Sequence, residues 1–338
     1  MRLLLIVNSS ASSVTARSRV VIRKALSADH DVTLAETNRR GHATRLAQGA
    51  ANAGVDVVVC LGGDGTLNEV ANGLAGSTTA MAPLPGGSTN VFARTIGLPN
   101  DPIEATGALL DGLAAGRIEP VGLGVVNGRY FLFHVGVGFD AEVVHQVERR
   151  SGLKRYAGHP LFIYAAFTSW LRHFDHSRPR FSLTVPGDAG PVGGSMPRRP
   201  EGSASDEGHG GGDSERSERS EPTINDGYFG IVMNTNPYTY LGNRPFNVIP
   251  EATLDRGLAV LTLRSLTLGA LVGAAAGALG FGRDLKRRKH IDVRTDLQQL
   301  SVRGHGPFPY QVDGDYLGEI EQLDFRHAPD VLRLVLPG

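Results

Sequence analysis

The chain has 338 residues, enough for about two domains of ordinary size. Its 34 basic and 34 acidic side chains cancel, which excludes a globally basic nucleic-acid binder and turns attention to local patches. Hydrophobic residues make up 41%, enough for packed cores, and a single cysteine, Cys60, excludes an internal disulfide framework.

Arg2–Val7 is an apolar run ending in the polar turn Asn8-Ser9-Ser10, too short and too strand-like for a signal peptide. Ala16–Leu26 has helical spacing, Val32–Leu34 predicts a short strand, and Gly41–Ala53 predicts a helix. Val55–Leu61 is continuously apolar, as in a parallel strand covered on both faces. Thr66–Leu74 predicts a helix and Ala80–Leu84 a strand. Strands alternating with helices imply βαβ units and a parallel sheet.

The texture changes near Arg117. Val121–Val126 and Tyr130–Val137 read as a hairpin around Asn127-Gly128, a pair suited to a two-residue turn. Tyr156–Phe174 predicts an amphipathic helix, with Trp170 in its core face. Further strands are expected at Arg180–Val185, Gly230–Asn234, Leu258–Leu263, Ile291–Val293, Leu300–Val302 and Val331–Leu336. Residues 187–222 carry almost no apolar side chains, so they predict a disordered insertion within a loop. Ser265–Gly282 is apolar but rich in Gly and Ala. A spanning helix needs about twenty strongly apolar residues, so a buried helix is expected. The expected division is an α/β domain over 1–120 and a β-rich domain over 121–319.

The strongest chemical signal is Gly62-Gly63-Asp64-Gly65-Thr66-Leu67-Asn68-Glu69, where a buried strand meets a helix. Glycines allow positive φ and close approach of a phosphate, and a helix start offers N–H groups and a positive dipole end. The turn lacks the Lys-Ser/Thr of a P-loop and the spacing of a dinucleotide fingerprint. A carboxylate, Asp64, stands among the glycines instead, so a nucleotide here requires Mg²⁺ to reconcile the charges. Thr66 and Glu69 also fit an ordinary capping box. A second turn, Pro85-Gly86-Gly87-Ser88-Thr89-Asn90, follows the next strand. Two such turns at the carboxyl ends of parallel strands are expected to line one crevice, with Asn8-Ser9-Ser10 as a third wall. Asp313-Gly314-Asp315 reads as an ordinary hairpin turn, or as an acidic pair able to take a proton from an acceptor hydroxyl. The eleven histidines show no metal-ligand spacing.

These motifs resemble the diacylglycerol kinase catalytic-domain family, shared with sphingosine kinases and bacterial lipid kinases. Beside the first turn, Gly87-Ser88-Thr89-Asn90-Val91-Phe92-Ala93-Arg94, Gly138-Phe139-Asp140-Ala141, Pro250–Leu258 and Val312-Asp313-Gly314-Asp315 fall in the family's order. The resemblance implies a phosphofructokinase-like ATP-binding domain, a β-sandwich second domain, and a segment 320–338 that returns to the first. It implies ATP contacts at Asn8, Ser9, Ser10, Thr37, Gly62, Gly63, Asp64, Gly65, Thr66, Asn68, Glu69, Gly87, Ser88 and Asn90. It further implies Mg²⁺ held through water at Asp64 and Asp140, and a general base in the turn of Asp313 and Asp315. Three departures stand out. Val91 replaces an acidic residue, Arg256 replaces the second Asp of an Asp-Asp-Gly element that holds a structural Mg²⁺ in some relatives, and Asp315 replaces Glu.

The implied activity is transfer of the γ-phosphoryl group of ATP to a lipid hydroxyl, with diacylglycerol the default acceptor. An NAD kinase-like enzyme, which shares the Gly-Gly-Asp-Gly turn, and a catalytically weak nucleotide- or lipid-binding regulator stay open as alternatives. The expected partner is a lipid at a membrane surface, with no nucleic acid and a homodimer left open. The expected location is cytoplasmic, peripheral at the inner membrane face. The basic clusters Arg149-Arg150 with Lys154-Arg155, and Arg283 with Lys286-Arg287-Arg288-Lys289, are the candidate membrane contacts.

Overall fold

The structure, a computed structural model, describes residues 1–139, 141–142, 178–186, 223–280 and 285–338. Asp140, the helix expected at 156–174, the insertion at 187–222, the basic residues 149–155 and Arg283 lie outside the described residues.

The N-terminal part alternates as expected: β1 (Arg2–Val7), α1 (Ala16–Leu26), β2 (Asp31–Glu36), α2 (His42–Asn52), β3 (Val57–Gly62), α3 (Asp64–Leu74) and β4 (Ala80–Pro85). β1 pairs in parallel with β2 and with β3, and β3 pairs in parallel with β4. The chain therefore leaves β1 toward β2 and returns across it to β3. That reversal opens a crevice at the carboxyl ends of β1 and β3, where open α/β sheets bind ligands. Every residue of β3 and β4 is buried, which is why their apolar runs are continuous. Alternate side chains feed opposite faces. Ile6, Val58 and Cys60 pack with Leu67 and Val70 of α3, while Leu5, Val59 and Leu61 pack with Ile22 of α1. Thr15 and Ser18 form a reciprocal capping box that starts α1.

Two further helices, α4 (Val91–Thr95) and α5 (Pro102–Ala114), follow β4. The Asp101 carboxylate accepts from the N–H groups of Ile103 and Glu104, and Pro102 fills the first helical position of α5.

The β-rich region begins with β5 (Ile118–Val126) and β6 (Arg129–Phe131), paired around Asn127 and Gly128 at φ 45 and 84. The single strand expected over Tyr130–Val137 is two strands. β6 ends at Phe131 and β7 (His134–Gly138) begins after a break, because the N–H groups of Leu132 and Phe133 turn away to the Asp313 carboxylate. The remaining elements are β8 (Phe181–Thr184), β9 (Ile224–Gly227), β10 (Phe229–Met233), β11 (Thr239–Leu241), β12 (Arg244–Phe246), β13 (Leu258–Leu263), α6 (Leu268–Ala278), β14 (Ile291–Leu297), β15 (Gln299–Val312) and β16 (Asp315–Val335).

Most of the described strands form one sheet with the main order β14-β13-β10-β7-β15-β16-β4-β3-β1-β2, from which β5, β6, β8 and β9 branch, while β11 and β12 pair as a separate two-stranded sheet. β16 is the hinge of this order. It pairs antiparallel with β15 near its start, and its end pairs in parallel with β4 through Arg333 and Leu334. The molecule is thus a mixed α/β fold with a parallel core and an additional β-rich region. A guanidinium also ties the two: Arg94 of α4 donates to the Gly242 carbonyl at 3.0 Å and lies 3.6 Å from the centre of the Tyr240 ring.

The buried helix expected within 265–282 is α6, and it is only half-buried. Leu271 and Ala274 pack on a core, whereas Val272 is 59% exposed. Among the described residues no helix is long and apolar enough to cross a membrane.

Candidate functional site

A cleft of about 300 Å³ opens at the carboxyl ends of the first three strands. Asn8 and Ser10 line it after β1, Thr37, Asn38, Arg39 and Arg40 after β2, Gly65, Thr66 and Glu69 from α3, and Asp315 from the start of β16. Gly63 is the N-cap of α3 and lends no side chain to it, which leaves backbone donors and the positive dipole end at the cleft.

The glycines act through close approach rather than through positive φ. None of Gly62, Gly63, Gly65, Gly86 and Gly87 is among the residues with positive φ. The Gly86 N–H donates to the Gly62 carbonyl at 2.8 Å. A Cβ on Gly86 would meet Gly62 Cα at 2.8 Å, and one on Gly87 would meet Gly63 Cα at 2.9 Å. The second turn is closed by Asn90, whose φ is 51. Asn90 Oδ1 accepts from the Gly87 N–H at 2.7 Å, and Asn90 Nδ2 donates to the Gly87 carbonyl at 3.0 Å. Gly87, Ser88 and Asn90 do not line the cleft, contrary to the expectation that both turns face it. They stand beside the first turn and fix its backbone.

Several side chains of the first turn have partners that the motif does not suggest. The expected capping box of Thr66 with Glu69 is absent, because α3 starts earlier, at Asp64. Thr66 Oγ1 instead accepts from Asn8 Nδ2 at 2.9 Å, joining β1's end to α3. The Glu69 carboxylate accepts from the N–H groups of Gly41 at 2.7 Å and Ala43 at 3.0 Å, so it caps α2 rather than its own helix. The Asp64 carboxylate accepts from the N–H groups of Val91 and Phe92, each at 3.0 Å, and so anchors the start of α4. Asn68 is buried. Its Nδ2 donates to Asp313 Oδ2 at 2.7 Å and to the Tyr130 carbonyl at 2.9 Å, and it is not among the residues that line the cleft. Ser9 also turns from the cleft, donating to Glu36 at 2.6 Å. Asn8, Ser10, Thr37, Gly65, Thr66 and Glu69 are brought together as expected.

The two acids of the β15–β16 turn differ sharply. Asp313, at φ 48, is 4% exposed. Its Oδ1 accepts from the N–H groups of Phe133 and His134, and its Oδ2 from the Leu132 N–H and Asn68. Burial pushes this carboxyl up to about 6, against the four hydrogen bonds that pull it down. Such a group holds the turn to α3 and to the β6–β7 break. It is not among the residues that line the cleft, and its expected role as a base is accordingly set against a structural one below. Asp315 does face the cleft. A Cβ on Gly65 would lie 3.4 Å from Asp315 Oδ2, so this carboxylate sits directly over the glycine turn.

Arg39 and Arg40 were not among the expected site residues. The rule that ligands gather at carboxyl ends of parallel strands points to the turn after β2 as much as to those after β1 and β3. A polar Thr37-Asn38-Arg39-Arg40 run at that place was the available signal. For a metal, Asp140 lies outside the described residues, and among the described residues no group of three His, Cys, Asp or Glu side chains gathers to hold one.

Residues 2–126 match the family model of the diacylglycerol kinase catalytic domain. This is the part of the chain that carries the parallel strands and both glycine turns. The diacylglycerol kinase of Bacillus subtilis (strain 168) is 36% identical over 130 residues, 38% of this chain and 42% of that relative. A protein named "Probable lipid kinase YegS-like" from Pseudomonas aeruginosa (strain UCBPP-PA14) is 34% identical over 168 residues, 49% of this chain and 53% of that protein. The chain thus spans about half the length of the curated relatives it matches. A crystal structure of a diacylglycerol kinase from Bacillus anthracis str. Sterne aligns with a TM-score of 0.66 at 19% identity, covering 99% of this chain and 96% of that one. Another from the same strain aligns at 0.71 and 21% identity, covering 99% and 97%. At such identities the structures speak for the fold.

Proposed function

We propose that the chain is a lipid kinase that takes ATP with Mg²⁺ and transfers the γ-phosphoryl group to a lipid hydroxyl, with diacylglycerol the acceptor and phosphatidic acid the product. The observation that carries the reading is the Asp315 carboxylate placed over Gly65, in the cleft that begins at the N-terminus of α3. Backbone donors of that helix start, with Asn8, Ser10 and Thr37, bind and orient the phosphates. Asp315 accepts the acceptor hydroxyl's proton as the new O–P bond forms. The bond from γ-phosphorus to the bridging oxygen breaks, and ADP leaves with that electron pair. Asp313 is a positioning residue for this turn.

Mg²⁺ supplies charge neutralisation on the phosphates when it is bound. The residues present fit a metal that arrives with the nucleotide better than a protein-built cage, since the described Asp64 and Glu69 carboxylates already accept backbone N–H groups. Asp64 and Asp140 would be the residues that hold it, through water.

A lipid acceptor implies attachment at a membrane surface, and we place it at the inner face. Of the second basic cluster, Lys286 is paired with Glu251, and the Arg288 guanidinium lies against Gly273 of α6. Attraction to an anionic leaflet is accordingly weaker than a cluster of unpaired cations provides.

The test is transfer from [γ-³²P]ATP to a panel of lipids and to NAD. Label in diacylglycerol, abolished in Asp315→Asn, is expected. Label in NAD alone, or in nothing, would overturn the reading in favour of an NAD kinase-like enzyme or a weak regulator.

A further inference from the structure

Arg40 is a surface arginine on an anchored stem. It precedes Gly41, which adopts a φ of 74 and donates to Glu69 Oε1 at 2.7 Å. Glu69 Oε2 takes the Ala43 N–H, and Thr44 Oγ1 donates to the Glu69 carbonyl at 3.0 Å. The turn carrying Arg40 is therefore fixed to α3, the helix that begins at the cleft. The side chain itself is 75% exposed, and Nη2 lies 3.6 Å from Asp315 Oδ1. That separation is too long for a hydrogen bond. An ion pair so open to water contributes little and is easily exchanged. A phosphate is the better partner, because its greater charge and several oxygens suit the guanidinium fork.

We propose that Arg40 is the side-chain ligand of the nucleotide's terminal phosphate, and that it leaves Asp315 for that phosphate when the nucleotide binds. The assignment rests on the kinase reading. Asp315 lies over Gly65, so the cation that reaches its carboxylate also reaches the place where a phosphate at the α3 N-terminus presents its outer oxygens. The exchange has a functional sense. The base keeps a cation beside it until the phosphoryl donor arrives, and is then open to the acceptor hydroxyl.

The test is calorimetric binding of Mg·ATP and Mg·ADP to the full chain and to Arg40→Gln, Arg40→Lys, Arg39→Gln and Asp315→Asn. Loss of a charge-assisted contact to one phosphate should weaken Mg·ATP by about tenfold or more in Arg40→Gln, with Mg·ADP changed by less than about threefold. Arg40→Lys should recover part of the loss. Asp315→Asn should bind Mg·ATP at least as tightly as wild type, because a competing carboxylate is gone. Equal loss on both nucleotides in Arg40→Gln, no loss at all, or the same ATP-selective loss in Arg39→Gln overturns the assignment, as does weaker Mg·ATP binding by Asp315→Asn. In turnover, Arg40→Gln should raise KM for ATP as well as lower kcat. Absence of lipid transfer by the wild-type chain defeats the kinase reading, transfer that survives Asp315→Asn defeats the role of Asp315 as base, and transfer lost in Asp315→Asn but normal in Arg40→Gln defeats only the role of Arg40.

Discussion

The two glycine turns of the parallel sheet look alike in sequence and do different work. The first, Gly62 to Gly65, leads into an eleven-residue helix and borders the cleft. The second, Gly86 and Gly87, is closed on itself by Asn90 and leans on the backbone of the first. The acids of the β15–β16 turn repeat the contrast: Asp315 faces the cleft, while Asp313 is buried under four donors. A run of small residues thus has two distinct physical meanings, room for a ligand or room for another piece of backbone. Only the neighbours decide between them.

Substitutions can break this division of labour. Asp315→Asn should lower kcat by about 10²- to 10⁴-fold, the usual range for a lost general base, while the melting temperature stays near wild type. An unaltered kcat would move the chemistry elsewhere.

Asp313 should matter for stability instead, with a defined dependence on pH. Its carboxyl stands at about 6 in the fold, above the ordinary value near 3.9. The folded state therefore binds the proton more tightly. Its contribution is full below about pH 4 and declines by about 2–3 kcal/mol as pH rises to about 6. Asp313→Asn should abolish that slope, as read by urea denaturation at pH 4, 5, 6 and 7. Parallel curves for the two proteins would show that Asp313 does not titrate in this range.

The glycines come next. Gly86→Ala should destabilise the protein by about 1–3 kcal/mol, because the new methyl meets backbone that cannot swing away. Gly65→Ala should change stability by no more than about 0.5 kcal/mol yet reduce kcat/KM roughly tenfold, since its methyl takes up room in the cleft at contact distance from the Asp315 carboxylate. If these two effects were exchanged, the roles of the turns would be too. Ser88→Ala should be the mildest change. Ser88 is exposed and does not line the cleft, so KM for ATP should stay within about twofold. A tenfold rise would show that the second turn reaches the nucleotide after all.

The parallel layer was legible because its signals are local. Val57 to Leu61 is covered on both faces and reads as one apolar run. The helices after β4 were not read: α4 has five residues and is anchored by Asp64, far from it in sequence. β16 was expected only over its last residues, because half-exposed strands crossed by Gly318, Glu319 and Glu321 break the apolar pattern. The candidate site was legible where a strand end meets glycine, and at Asp315. It was illegible where two distant polar groups satisfy each other, as Asn68 and Asp313 do. No window of sequence contains such a pair. The turn after β2 was overlooked although the same strand-end rule applied to it.

The placement of β16 bears on how the molecule can be made. Leu332 and Leu334 belong to the core that also holds Ile6 and Val58, and Arg333 and Leu334 zip onto β4. Residues 2–126, matched by the family model, therefore lack a strand of their own sheet. During synthesis the edge of β4 stays unpaired while the entire β-rich region emerges, and an unpaired edge invites association with other chains. Closing that gap demands contacts between residues distant along the chain, which slows folding. A fragment cut after β5 should accordingly be an aggregating species rather than a stable small domain, and refolding of the whole chain should end with the docking of its last strand.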